Sequence, residues 1–217
     1  MPYKAVVFDM DGTLLDTLED LAGAMNRVLD RHGLPTHPVG AYRHFVGSGA
    51  RELVRRTVPV DRHDPAFLQA CLQDFFGEYQ AGWQNKTRLY DGIADLLDQL
   101  VKLQIPMAVL TNKPQDFAQL CMQAYMSAWP FALTLGQVPG VPVKPDPAGP
   151  RQVIAHLGVL PAEILYLGDT DVDMLTAVGA GMFPVGVLWG FRPAQELLDS
   201  GAKVLLDHPL DLLPLLT

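Results

Sequence analysis

The apolar run Lys4-Ala5-Val6-Val7-Phe8 ends in Asp9-Met10-Asp11-Gly12-Thr13, and no second strand is legible before Met107-Ala108-Val109-Leu110-Thr111. β-Branched and aromatic residues with no breaker make the first run a buried strand. Between the two strands, apolar positions recur at helical spacing. Examples are Leu21, Ala22, Met25, Val28 and Leu29 after Leu18, then Phe67, Leu68, Leu72, Phe75, Phe76 and Tyr79. A single βαβ crossover is far shorter than this. The chain therefore predicts an all-helical subdomain inserted over residues 16–86, entered near Asp16-Thr17 and left between Lys86 and Tyr90. Two crossings lying close together would form a hinge.

Beyond Tyr90-Asp91-Gly92 helices and strands alternate. Helices are predicted over 93–103, 117–126, 152–157 and 174–178; strands are predicted over 107–111, 131–135, 164–168, 183–187 and 204–206. That order specifies an α/β fold, a doubly wound parallel sheet with helices on both faces, built from residues 1–15 and 87–217. Hydrophobic residues make up 49% of the chain, enough for such a core. The balance of 24 acids against 16 bases gives a net charge of -8, which argues against a nucleic-acid partner. No apolar run approaches membrane-spanning length, so a cytoplasmic protein away from membranes is expected. Cys71 and Cys121 fall in helical segments without metal-ligand spacing; free thiols are expected, with one disulfide as the alternative.

Four segments stand at or just after predicted strand ends: Asp9 to Thr13, Thr111-Asn112-Lys113-Pro114, the loop around Lys144, and Gly168-Asp169-Thr170-Asp171-Val172-Asp173. Taken singly, each has a bland reading. Asp-Gly after a strand is often a turn, Thr-Asn a cap, a lone lysine a solvated one, and acids opening a helix a response to its dipole. In parallel neighbouring strands all four would meet at one edge, where open α/β sheets bind ligands. Several carboxylates at one point match a hard cation such as Mg²⁺. A hydroxyl at Thr111, an ammonium at Lys144 and amides around Gly12 would hold phosphoryl oxygens. One aspartate is then available to attack phosphorus and another to move a proton.

These segments resemble the motifs of the haloacid dehalogenase-like hydrolases, the aspartate-nucleophile phosphatases, over nearly the whole chain. The resemblance implies a Rossmann-like core with a helical cap. It implies Asp9 as nucleophile and Mg²⁺ ligand, and Asp11 as general acid and base with its main-chain carbonyl on the metal. Thr111 and Asn112 would bind the phosphoryl group and Lys144 would offset its charge. Asp169 would be a further metal ligand, and Asp173 would order the metal's surroundings. Because Asp11 is an acid, the family pattern favours phosphate esters over halides: an alkoxide needs a proton on leaving, a halide does not. Phe45-Val46-Gly47-Ser48-Gly49-Ala50 and Leu89-Tyr90-Asp91-Gly92 look like phosphoglycolate phosphatases. A small phosphorylated metabolite, first of all 2-phosphoglycolate, is the expected partner of a monomer or homodimer. Gly47, Ser48, Gly49 and Arg51 are the candidate specificity residues, Arg51 as a carboxylate clamp or, equally, a solvated helix arginine. A phosphosugar mutase or a pyrophosphatase on the same fold, and a receiver-like phosphorylation switch, are the competing readings.

Overall fold

A computed structural model describes residues 3–216; residues 1, 2 and 217 of the expected core lie outside the described residues. The chain opens with β1 (Ala5–Phe8) and the two-residue β2 (Leu15–Asp16). Four helices follow: α1 (Leu18–Arg31), α2 (Tyr42–Phe45), α3 (Ala50–Thr57) and α4 (Pro65–Gly82). The chain returns through β3 (Arg88–Leu89), then α5 (Ile93–Lys102), β4 (Met107–Pro114), α6 (Gln115–Tyr125) and β5 (Phe131–Gln137). It ends with α7 (Ala148–Leu157), β6 (Ile164–Gly168), α8 (Asp171–Ala180), β7 (Phe183–Val187), α9 (Ala194–Asp199) and β8 (Val204–Leu206).

Six strands form one sheet in the order β5-β4-β1-β6-β7-β8, every neighbouring pair parallel. From β1 the order runs one way through β4 and β5, and the other way through β6, β7 and β8. Winding reverses beside β1, and the carboxyl ends of β4, β1 and β6 flank the resulting crevice. Alternation along β1 divides its side chains between two faces. Val6 and Phe8 join the apolar cluster that continues into the helical insert, whereas Ala5 and Val7 pack with Ala108, Leu110 and Tyr166. Truncating the fully buried Phe8 to alanine is expected to cost about 3–5 kcal/mol.

The insert leaves and rejoins the core through one ribbon, in which β2 pairs antiparallel with β3. Asp20 ties its two ends together, its buried carboxylate accepting from the amides of Lys86 and Thr87 and from the Thr87 hydroxyl. Two-residue strands are too short for periodicity to reveal. Other boundaries also shift. β4 runs on past Thr111 because Pro114 still pairs with Gln137 of β5. α7 begins at Ala148 rather than 152, where Asp146 Oδ1 accepts from the Ala148 amide. α8 begins at Asp171 rather than 174, its first turn held by Thr170 and Asp173. The short α9 carried no periodic signal. Both cysteines are free and buried. Among the described residues no helix is long and apolar enough to cross a membrane.

Candidate active site

Asp9 stands at the tip of β1, its amide donating to the Leu167 carbonyl of β6. The four segments do converge there. Lys144 arrives from the loop between β5 and α7 and places its Nζ 3.0 Å from Asp9 Oδ1 and 2.7 Å from Asp173 Oδ1. That ammonium also donates to the Leu110 carbonyl and the Tyr166 hydroxyl, each at 3.1 Å. Asp169, at the end of β6, accepts from the Thr13 hydroxyl at 3.0 Å and from the Phe191 amide at 2.9 Å. Asp173 Oδ2 accepts from the Thr170 amide and hydroxyl, so both its oxygens are engaged by protein donors. Gly12 has a φ of 88°, and a Cβ there would collide with the Asp169 carboxylate. Only glycine lets the loop after Asp9 turn this close to the end of β6.

Carboxylate oxygens of Asp9, Asp169 and Asp173 lie within 4.8 Å of one another, all three residues buried. With all three carboxylates ionised around one ammonium, two negative charges would be left uncompensated. Burial first, then the Asp173 charge, pushes the Asp9 carboxyl up to about 7 against the opposing pull of Lys144. Burial and the charges of Asp173 and Asp9 hold Asp169 well above the ordinary carboxylate range. Burial works against the Lys144 charge, but Asp173 and Asp9 outweigh it and keep the ammonium protonated far above neutrality. Asp9 Oδ1 is buried, and among the described residues its one close polar neighbour is the Lys144 ammonium at 3.0 Å, an ion pair without well-aligned hydrogen-bond geometry. An all-oxygen donor set, an orphaned carboxylate oxygen and a deficit of two positive charges together fit a hard divalent cation.

Asp11 is set apart from this cluster. Its two oxygens lie 2.9 and 3.2 Å from Lys113 Nζ, which also donates to the Tyr79 hydroxyl of α4 at 2.8 Å. Lys113 is held charged by Asp11 and Tyr79 despite its burial. Lys113 lies within the Thr111-Asn112-Lys113-Pro114 segment but is not among the expected site residues. The available signal was strand alternation, which puts Lys113 on the same face of β4 as Thr111. Tyr79, Tyr166 and the Gly190-Phe191 turn carried no such signal. Asp9, Asp11, Thr111, Asn112, Gly47 and Gly49 line one pocket between the core and the insert.

Other expected site residues sit differently from their predicted uses. The Gly12 amide donates to the Leu15 carbonyl, so it serves the turn rather than an anion. Asn112 accepts from the Lys144 amide and donates to the carbonyls of Lys144 and Gly47, which makes it a brace between loop and insert. The Ser48 hydroxyl accepts from Arg56 and does not line the pocket. Arg51 is exposed on α3 and is not among the residues lining the pocket. The side chain of Asp11 is not among the clustered carboxylates, and Asp171 lies outside that cluster at the start of α8.

The insert is seated on the core. Besides Asn112 and Tyr79, Arg43 donates to the Gly190 carbonyl at 2.6 Å and the buried Arg192 to the Val46 carbonyl at 3.0 Å. A Cβ on Gly47 would press on Thr170, so the Gly47-Ser48-Gly49 loop reaches the fourth motif directly.

A family model described as haloacid dehalogenase-like hydrolase matches residues 6–187. A phosphoglycolate phosphatase of Pseudomonas putida is 34% identical over 97% of this chain and 79% of its own length. An N-acetylmuramic acid 6-phosphate phosphatase of Pseudomonas aeruginosa is 33% identical over 100% of this chain and 96% of its own. A haloacid dehalogenase-like family hydrolase from Streptococcus pneumoniae superposes with a TM-score of 0.88 at 25% identity, covering 99% of both chains. With the sheet order, the aspartate-tipped strands and these relatives in agreement, the chain belongs to the haloacid dehalogenase-like hydrolases, as a phosphatase.

Proposed function

We propose that the protein is a Mg²⁺-dependent phosphomonoester hydrolase that works through an aspartyl-phosphate on Asp9. The observation that carries this reading is the Asp9 carboxylate itself: buried, short of a hydrogen bond, flanked by Lys144 and Asp169, and facing a pocket that also holds Asp11. Asp9, Asp169 and the main-chain carbonyl of Asp11 would hold the metal, with Asp173 fixing Lys144 and the opening turn of α8. Bound Mg²⁺ supplies the positive charge that lets an anionic nucleophile meet an anionic ester.

The chain's own groups then act in two stages. An Asp9 oxygen bonds to phosphorus as the ester P–O bond breaks, and a proton on Asp11 passes to the departing alkoxide. Asp11 next takes a proton from water, whose oxygen attacks phosphorus. The acyl-phosphate bond breaks, Asp9 is restored and inorganic phosphate leaves. Lys144 and the Thr111 hydroxyl would bind the phosphoryl oxygens, while Lys113 aims the Asp11 carboxylate. The insert, latched through Arg43 and Arg192, would keep bulk water from the acyl-phosphate.

The substrate is a small phosphorylated metabolite met in the cytoplasm, which the free thiols and acidic surface support. 2-Phosphoglycolate and N-acetylmuramic acid 6-phosphate, named for the relatives, are the first two esters to assay. The assembly is read as a monomer or a homodimer. Purified protein with Mg²⁺ is expected to release inorganic phosphate from 4-nitrophenyl phosphate over many turnovers, and a chelator is expected to stop it. Stoichiometric labelling without turnover would favour the switch, and phosphate returned to a sugar the mutase.

A further inference from the structure

Moving from Asp9 toward the insert, the pocket changes character within one side chain. Its far wall is Leu21, Val46, Leu53, Phe75, Phe76 and Phe117. The aromatic part is fixed: Tyr79 stacks on Phe75 at 5.6 Å between centroids and meets Phe117 edge-on at 4.9 Å. Phe76 is only half-buried, leaving part of its ring to the pocket.

Lys113 is the sole cation among the described lining residues. Its ammonium already serves both oxygens of Asp11 and the Tyr79 hydroxyl. The nearby insert arginines are turned elsewhere: Arg43 to the Gly190 carbonyl, Arg56 to Glu52 and Ser48, and Arg51 to the exterior. A second anion placed here would lie beside Asp9 and Asp11 with no lining cation left unpaired to meet it, in apolar surroundings where an unpaired charge is strongly disfavoured. An uncharged hydrocarbon or ring would instead replace water against matching surface.

We infer that the pocket selects phosphate monoesters whose alcohol is uncharged and presents an apolar or aromatic face, and discriminates against esters of short hydroxy-carboxylates such as 2-phosphoglycolate. This rests on the reading that the phosphoryl group sits at Asp9, and it narrows that reading against the ester for which some relatives are named.

The test compares kcat/KM for benzyl phosphate, 2-hydroxyethyl phosphate and 2-phosphoglycolate. All three leave as alkoxides, and the last two match in size while differing in charge. Benzyl phosphate is expected to be best, and 2-hydroxyethyl phosphate to exceed 2-phosphoglycolate by about 10-fold or more. Phe76→Arg, at the half-buried wall position, is expected to narrow or reverse that charge preference. If 2-phosphoglycolate equals or exceeds both neutral esters in the wild type, the inference is overturned whatever the variant does, with Lys113 releasing Asp11 as the explanation. With 4-nitrophenyl phosphate run alongside, turnover of it but of none of the three would overturn the selectivity alone, and turnover of none of the four would remove the Asp9 reading and the selectivity with it.

Discussion

On the core side of the pocket nearly every charged atom has a named neighbour: Lys144 between Asp9 and Asp173, Asp169 under Thr13 and Phe191, and Asp11 on Lys113. On the insert side the wall is aliphatic and aromatic, and its charged residues point away. The first side is assembled at the ends of parallel strands, where backbone position is fixed by the sheet register. The second is assembled from helices joined to the core by a two-residue ribbon and a few hydrogen bonds. On the proposed reading the difference separates two tasks, bond chemistry on the strand-end wall and choice of alcohol on the helical one.

Changes on the core side are expected to be the more severe. Asp9→Asn should lower kcat on the order of 10⁴-fold or more for every ester. Because it removes one of three crowded buried carboxylates, thermal unfolding of the metal-free variant should stay at or above wild type. Loss of both activity and fold would blur the comparison; loss of activity alone sharpens it.

Asp11→Asn should cost about 10²–10⁴-fold on benzyl phosphate. It should cost far less on 4-nitrophenyl phosphate, whose leaving group departs without a proton. Equal losses on both esters would show that Asp11 does not protonate the alcohol.

The acid cluster also predicts a pH-dependent response to metal. Asp9 is raised from 3.8 to about 7 by burial and Asp173. A carboxylate raised on folding binds more protons in the native chain than in the unfolded one. Without metal, native stability therefore falls as pH rises from about 3.8 through about 7. Mg²⁺ opposes that loss, so its effect on the melting temperature should be larger above about pH 7 than near pH 5. A pH-independent shift would place the cation elsewhere.

Two smaller effects probe the insert. Tyr79→Phe leaves a buried Lys113 donor short of a partner, for a stability loss of about 1–3 kcal/mol by denaturant titration. Its kcat should change by less than about 10-fold, since the phenol touches Lys113 rather than the reacting atoms. Arg51→Ala, on an exposed position, should leave kcat/KM within about 2-fold for all esters, including 2-phosphoglycolate. A larger loss confined to the carboxylate ester would return Arg51 to the pocket.

The same division decided what could be read from the amino acids. Asp9, Asp11, Thr111 and Asp169 follow apolar runs whose strand character is local, so their meeting at one sheet edge follows from alternation of helices and strands. Lys144 was legible only as part of the pattern, because its loop has no periodicity to aim it. Arg51 and Asn112 show the limit. Both are polar residues beside a motif, yet one turns to solvent and the other spends its amide on Gly47 and Lys144. Which way a side chain turns on a short helix, or which carbonyl claims an amide, is set by tertiary contacts across dozens of residues. The ribbon at Leu15 and Leu89 and the Lys113–Tyr79 contact were hidden for the same reason.

The most direct trial of this scheme is to quench the enzyme in acid during steady turnover of a phosphate ester, reduce with borohydride and sequence the N-terminal peptide. Conversion of residue 9 to homoserine, scaling with enzyme and absent without ester, is the expected result. Undisturbed aspartate at that position while phosphate is being released, or modification at another carboxylate, would contradict it.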